Sequence, residues 1–313
     1  MTKQQQSDNP SAQVGAVPEK SIGVVGGGTM GVGIAYVYAV AGWTTTVVEP
    51  DAQRARTMQE TMVAAAQAGS RRGKLTSEQV DRVSKVERVA SIAALPAGLD
   101  LVVETVPERL ALKRQVLAEI AQRDPHIIAT NTSALSVDEL AASVPDPSRF
   151  LGMHFFNPVW SLPMVELIRG AKTSAQTLNL ARSYAEATGK VTITVRDVPG
   201  FATSRLDLIA SLEAMRMLQD GVASADDIDR AMVVAYRHPI GPLRLSDMVG
   251  LDVRLDIARN LRTALGERYA PPRILEEMVA RGELGQKSGK GFFDWPQTGT
   301  DAAAPNGGPG SPS

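Results

Sequence analysis

The sequence predicts an α/β fold, a doubly wound parallel sheet followed by a second, all-helical domain. Three observations predict it. Between Ser21 and Asp197, short apolar runs alternate with helix-like segments, the pattern of strands joined by crossovers. A glycine-rich turn links the first strand to the first helix. After Val198-Pro199-Gly200 the periodicity changes, and the remainder reads as helices.

The first strand is SIGVV, Ser21 to Val25, and the segment after it is helix-like beyond Thr29. Gly26, Gly28 and Gly31 have the spacing G-x-G-x-x-G. Such glycines allow a tight turn, close approach of backbone to a pyrophosphate, and close packing of helix on strand. Strand, turn and helix together make a Rossmann-like dinucleotide site, with Gly26, Gly28, Thr29, Met30 and Gly31 around the diphosphate. The second strand, TTTVVE, ends in Glu49, 23 positions after Gly26. An acid at that offset binds the adenosine ribose diol and repels a 2′-phosphate, which predicts NAD rather than NADP. Glu49 also fits a simpler role, capping the helix that begins PDAQRAR. Arg54 and Arg56 follow on a solvated face.

Residues 51–90 are too long for one crossover helix and are broken by AGSRRGK, so they predict two helices in a protruding hairpin. Arg71, Arg72 and Lys74 cluster near its tip, as a solvated face or as a contact for the phosphates of a large acyl carrier. LDLVVETVP is a third strand, followed by a helix from Glu108 to about Arg123 that contains Lys113. HIIATNTS is the fourth, ending in Asn131, Thr132 and Ser133, where doubly wound sheets bind ligands. The same residues fit a turn and helix cap before SALSVDEL.

LGMHFF and MVELI read as two further strands around the loop NPVWSLP, so that His154 and Glu166 face each other. In that geometry the carboxylate fixes the imidazole tautomer and stabilises its charged form, and the other ring nitrogen takes a proton from a hydroxyl. Taken alone, the pair reads first as a core histidine satisfied by a backbone carbonyl, with Glu166 an ordinary edge charge. A helix from Ser174 to Thr188 and the strand KVTITVRD close the first domain. The predicted helices of the second lie in residues 201–221, 224–236, 252–265 and 272–280.

Composition narrows the function. Charges nearly cancel, 33 Lys+Arg against 34 Asp+Glu, so nothing points to nucleic acid or a membrane surface. The absence of cysteine excludes disulfides, thiolate metal sites and a thiol nucleophile. No apolar run reaches about 18 residues, the length needed to span a membrane, and cytoplasm is the expected compartment. No His/Asp/Glu grouping has metal-ligand spacing, so no metal is expected. His126 reads as a surface or core-edge residue and His238 as interface structure. The expected organisation is a disordered leader over 1–19, a dinucleotide-binding domain over 20–197, a helical domain over 198–296 and a disordered tail over 297–313.

From residue 20 to 295 the chain resembles the L-3-hydroxyacyl-CoA dehydrogenase family, including the 3-hydroxybutyryl-CoA dehydrogenases. The resemblance rests on VVGGGTMGVGIA, DLVVETVPERLALK, ATNTSALS, RFLGMHFFNP, VELIRG, GKVTITVRDVPGF, GVASADDIDRAM, HPIGPLRLSDMVGLD and GELGQKSGKGFFDW. It implies NAD, an acyl-CoA substrate of fatty acid metabolism, a homodimer through the helical domain and an active site between the domains. It also implies His154 as catalytic base, Glu166 as its partner and Ser133 on the substrate 3-oxygen. Glu108, Lys113, Asn131 and Asn157 fall near the nicotinamide half of the cofactor, and Arg72, with Lys74, near the CoA phosphates.

Two departures stand out. Ser204, in PGFATSRL, replaces a site asparagine, and its single hydroxyl predicts a weakened or water-bridged contact. VWSLPM replaces the commoner VPVMKL, so Trp160 and Pro163 give a different wall, and a proline just before M-V-E resembles the sugar-acid and carnitine dehydrogenases related to this family. The expected activity is interconversion of a 3-hydroxyacyl-CoA and its 3-oxo form. The alternatives are a dehydrogenase of a free hydroxy acid or a carrier-bound acyl group, and a catalytically silent dinucleotide-binding protein.

Overall fold

The computed structural model describes residues 20–296, so the expected leader and tail lie outside the described residues. The chain divides into two compact units at Asp197 and Val198. The first is built on one eight-stranded sheet, with β1 (Ser21–Val25), β2 (Thr44–Val48), β3 (Glu87–Val89), β4 (Leu101–Glu104), β5 (Ile127–Thr130), β6 (Phe150–Phe155), β7 (Met164–Arg169) and β8 (Val191–Arg196). Its order is β3-β2-β1-β4-β5-β6-β7-β8. Neighbours run parallel except β6 and β7, which pair antiparallel. This is the mostly parallel, doubly wound sheet expected.

Crossover helices cover the sheet: α1 (Thr29–Val40), α2 (Ala52–Arg71), α3 (Ser77–Ser84), α4 (Leu110–Ala121), α5 (Val137–Ala141) and α6 (Ala175–Glu186). Every residue of α1 from Gly31 to Ala39 is buried, as an apolar helix without a polar face must be. Ile34 and Tyr38 share one core with Trp43, Met58, Met62 and Tyr184. α3 starts on a capping box between Thr76 and Gln79. The predicted hairpin of α2 and α3 is present, and the chain then enters β3, three residues too short and too polar to show a strand period.

The second unit is helical, with α7 (Thr203–Gln219), α8 (Ala225–Arg230), α9 (Pro242–Val249), α10 (Leu251–Leu265) and α11 (Arg273–Ala280). A five-residue π-helical turn, Ala231–Ala235, follows α8. Leu208, Leu212, Met215, Leu255, Leu261 and Leu275 form its core. The Asp229 carboxylate accepts from the Leu243 and Arg244 N–H groups at the start of α9, and burial pushes it above the usual carboxylate range. Asp247, fully buried, accepts from the N–H groups of Phe292 and Phe293 and from Trp295 Nε1, each at 2.9 Å. That carboxylate ties the segment after α11 to α9.

Replacing Asp247 by Ala strands three donors and should destabilise the protein by about 3 kcal/mol, read as a lower urea midpoint by tryptophan fluorescence. A change within about 0.5 kcal/mol, the range of an ordinary surface substitution, would show that the tie contributes little.

Candidate active site

The candidate residues follow the carboxyl ends of the parallel strands. Register aligns Val48, Val25, Glu104 and Thr130 in one row across β2, β1, β4 and β5. The glycine turn follows Val25, Glu49 follows Val48, and Asn131 to Ser133 follow Thr130. This is the edge at which open α/β sheets bind ligands.

At the glycine turn, Gly26 has φ +113°, a conformation open to glycine. Thr105 Oγ1 donates to the Val25 and Gly26 carbonyls, both at 3.0 Å. A Cβ on Gly31 would lie 1.8 Å from the Gly26 carbonyl oxygen, so the helix start packs on the strand end as closely as backbone permits. A Cβ on Gly28 would meet nothing within 4 Å, which leaves that side of the turn open. No side chain caps α1, whose first N–H groups face a turn able to hold phosphate. These residues fit a dinucleotide.

Glu49 is nearly buried; its Oε2 accepts from Gly27 N–H at 3.2 Å and its Oε1 from Asp51 N–H at 3.0 Å. Asp51, not Glu49, caps α2, through Arg54 N–H at 2.8 Å, and that bond holds Asp51 below the usual carboxylate range. The capping role considered for Glu49 is therefore taken by its neighbour. Arg54 leans back on Glu49 at 3.3 Å.

His154 and Glu166 occupy directly paired positions on β6 and β7. Nδ1 of His154 lies 3.0 Å from Oε2 of Glu166, with the histidine 7% exposed and the carboxylate fully buried. Phe156 packs against the imidazole with ring centres 4.4 Å apart. Asn131 Oδ1 accepts from Phe155 N–H at 2.9 Å and so joins the end of β5 to the strand carrying His154. Asn157, exposed, opens the loop after β6, and its bond to Pro158 is cis. Ser133 is exposed; the cap of α5 is Ser136, so the predicted helix start and the strand-end serine are separate residues.

Lys113 and Glu108 belong to a polar cluster that sequence reasoning saw only in part. Lys113 is 1% exposed, and its Nζ donates to both Glu104 oxygens at 2.8 and 3.0 Å and to the Val106 carbonyl at 3.1 Å. It also lies 3.2 Å from Glu108 Oε2. Glu108 Oε1 accepts from Thr132 Oγ1 and from the N–H groups of Ser133 and Ala134. Burial pushes Glu108 upward, yet the Thr132 hydroxyl, Lys113 and the Ser133 N–H together hold it below its ordinary range. Glu104 and Thr130 were missed; the available signal was an acid closing an otherwise apolar strand.

Arg72, Lys74 and Trp160 come together. With Tyr36, Ser161 and Lys190 they line a cleft of about 630 Å³. Trp160 meets Tyr36 edge-on at 5.6 Å. Lys190, also missed, is buried and donates to the Val159 carbonyl and, at 2.7 Å, to that of Leu162; burial pushes its ammonium down. Ser204 lies half-buried in the first turn of α7, in the helical unit. His126 and His238 are both exposed.

Comparison with known proteins decides the family. The family model described as 3-hydroxyacyl-CoA dehydrogenase, NAD binding domain, matches residues 21–198, and that of the C-terminal domain matches residues 200–295. The chain belongs to the 3-hydroxyacyl-CoA dehydrogenase family. A 3-hydroxybutyryl-CoA dehydrogenase of Mycobacterium tuberculosis is 38% identical over 279 residues, 88% of this chain and 98% of that protein. A probable 3-hydroxybutyryl-CoA dehydrogenase of Bacillus subtilis is 36% identical, over 88% and 97%. Among solved structures, (S)-3-hydroxybutyryl-CoA dehydrogenase from Ralstonia eutropha superposes with a TM-score of 0.84 at 36% identity, over 89% of this chain and all of that one. This dehydrogenase accordingly uses NAD and acts as an NAD-dependent 3-hydroxyacyl-CoA dehydrogenase. No helix among the described residues is long and apolar enough to cross a membrane.

Gly31→Ala should weaken NADH binding at least about tenfold, or about 1.4 kcal/mol, because the added methyl group cannot coexist with the Gly26 carbonyl. Quenching of protein fluorescence by NADH reads this directly; parental affinity would contradict the close approach.

Proposed function

We propose that His154 is the general base and Glu166 its partner in oxidation of a 3-hydroxyacyl-CoA, with a four-carbon acyl group as the preferred substrate. The observation that carries this reading is the 3.0 Å contact between His154 Nδ1 and Glu166 Oε2 at a directly paired, buried register position. A carboxylate there accepts a hydrogen bond from Nδ1–H, orients the ring and stabilises the imidazolium formed when Nε2 takes the substrate hydroxyl proton. Ser133 donates to the 3-oxygen as it becomes a carbonyl. Bound NAD supplies the hydride acceptor, and the protein supplies orientation and electrostatics.

Glu49, backed by Gly27 and Asp51, takes the adenosine ribose diol, while Gly26, Gly28, Thr29, Met30 and Gly31 hold the diphosphate. Glu108, Asn131 and Asn157 serve the nicotinamide half. Lys113 contributes by holding Glu108, since its ammonium is enclosed by Glu104 and Val106. Arg72 and Lys74, at the rim of the cleft walled by Trp160, take the CoA phosphates. The four-carbon preference is supported by the names of the relatives at 36–38% identity. A homodimer through the helical unit is supported by the exposure of its large apolar side chains Leu206, Val234, Tyr236 and Met248, which association with a second copy would remove from water.

His154→Gln should lower kcat by about a thousandfold while leaving NADH affinity within a few-fold of the parent. Turnover surviving within a few-fold would remove His154 from the chemistry. Glu49→Ala should raise the KM for NADH about tenfold and narrow the preference over NADPH; unchanged selectivity would show that Glu49 does not read the ribose. Rates on acetoacetyl-CoA and its longer 3-oxoacyl homologues test the chain length, with the shortest expected fastest.

A further inference from the structure

We infer that Glu104 is a positioning residue for the cofactor, a buried carboxylate that sets the place of Glu108 through Lys113. The inference rests on the reading of Glu108 as a contact of the nicotinamide half. Glu104 is the last residue of β4 and is fully buried. Its carboxylate accepts four bonds, two from Lys113 Nζ, one from Val106 N–H at 2.7 Å and one from Thr130 Oγ1 at 2.7 Å. Its backbone carbonyl accepts from Asn131 N–H at 2.9 Å. One side chain thus grips the ends of β4 and β5, the start of the β4–α4 loop and the first turns of α4.

Core stability alone does not call for this arrangement. A buried carboxylate and ammonium form a neutral pair, which apolar side chains of similar volume can replace with little loss. Here Lys113 holds a second carboxylate as well, so one ammonium serves two anions and the cluster keeps a net negative charge. Glu108 is the outer of the two carboxylates, with a side chain 36% exposed, while Glu104 has no exposure. Glu108 in turn fixes Thr132, Ser133 and Ala134 through its Oε1. Glu104 therefore shares the pull of Lys113, and the shared pull decides how far Glu108 Oε2 is drawn inward. With an uncharged amide at 104, Lys113 interacts with Glu108 alone, and the outer carboxylate moves toward the sheet.

The test is a double-mutant cycle on the full-length protein, reading NADH affinity by fluorescence together with the KM for acetoacetyl-CoA. Glu104→Gln and Glu108→Gln should each weaken NADH about tenfold, and because Glu108 also holds the Ser133 N–H, the acetoacetyl-CoA KM should change in Glu104→Gln by no more than it does in Glu108→Gln. The double variant should be no weaker than Glu108→Gln, because the inner residue acts through the outer one. Losses that multiply, or a Glu104→Gln variant that binds NADH like the parent while Glu108→Gln does not, would overturn the inference. If Glu108→Gln itself keeps parental affinity, the reading of Glu108 fails first and the inference falls with it. Should Glu104→Gln not fold, Thr130→Val removes a single bond to the same carboxylate and takes its place in the cycle, with a several-fold, non-multiplying loss expected.

Discussion

The contact between His154 and Glu166 depends on one register, and most of the first unit helps to keep it. β6 and β7 are the only antiparallel neighbours among the described strands, and side chains alternate faces along each. A slip of one residue would turn the histidine to the opposite face of the sheet and separate it from the carboxylate. β6 is buried at every position, and its neighbours β5 and β7 hold it from both sides. Lys190, the residue before β8, binds two carbonyls of the loop between β6 and β7, so the turn that sets the register is itself anchored.

The cofactor end is built differently. There the sheet supplies a row of strand ends, and short polar contacts organise the loops that follow. Thr105 fastens the glycine turn to the end of β4, and Glu104 fastens the neighbouring loops through Lys113 and Thr130. Backbone proximity dominates at the turn, where glycine leaves room for a phosphate. Buried charge dominates at the neighbouring strand end, where the Glu104 carboxylate and the Lys113 ammonium hold each other in place. Asn131 joins this edge to the strand bearing His154 through Phe155 N–H.

Much of this was legible in the sequence because it follows from local pattern. Apolar runs marked seven of the eight strands, the glycine spacing marked the turn, and the loop NPVWSLP between LGMHFF and MVELI marked the reversal that sets His154 against Glu166. What escaped depends on tertiary contact. β3 is too short for a period, and α9 is a single stretch of eight residues whose start is stabilised by Asp229 from an earlier helix. Glu104 escaped because nothing local shows that Lys113, nine residues on, turns back to it. Asp51 and Glu49 are two residues apart and both suit a cap; backbone geometry, which sequence does not display, gives the cap to Asp51. Arg72, Lys74 and Trp160 share a cleft although 86 residues separate Lys74 from Trp160, a proximity visible only after folding.

The central claim is that Glu166 accepts a hydrogen bond from Nδ1–H of His154, which keeps the proton on that nitrogen, so that Nε2 presents a lone pair to the substrate hydroxyl. Nitrogen-15 spectra of the imidazoles in the resting enzyme test it most directly, since three histidines give three sets of signals and a His154→Gln comparison identifies the relevant one. The account predicts a protonated Nδ1 and an unprotonated Nε2 at His154. A proton on Nε2 with a bare Nδ1 facing Glu166 would contradict it.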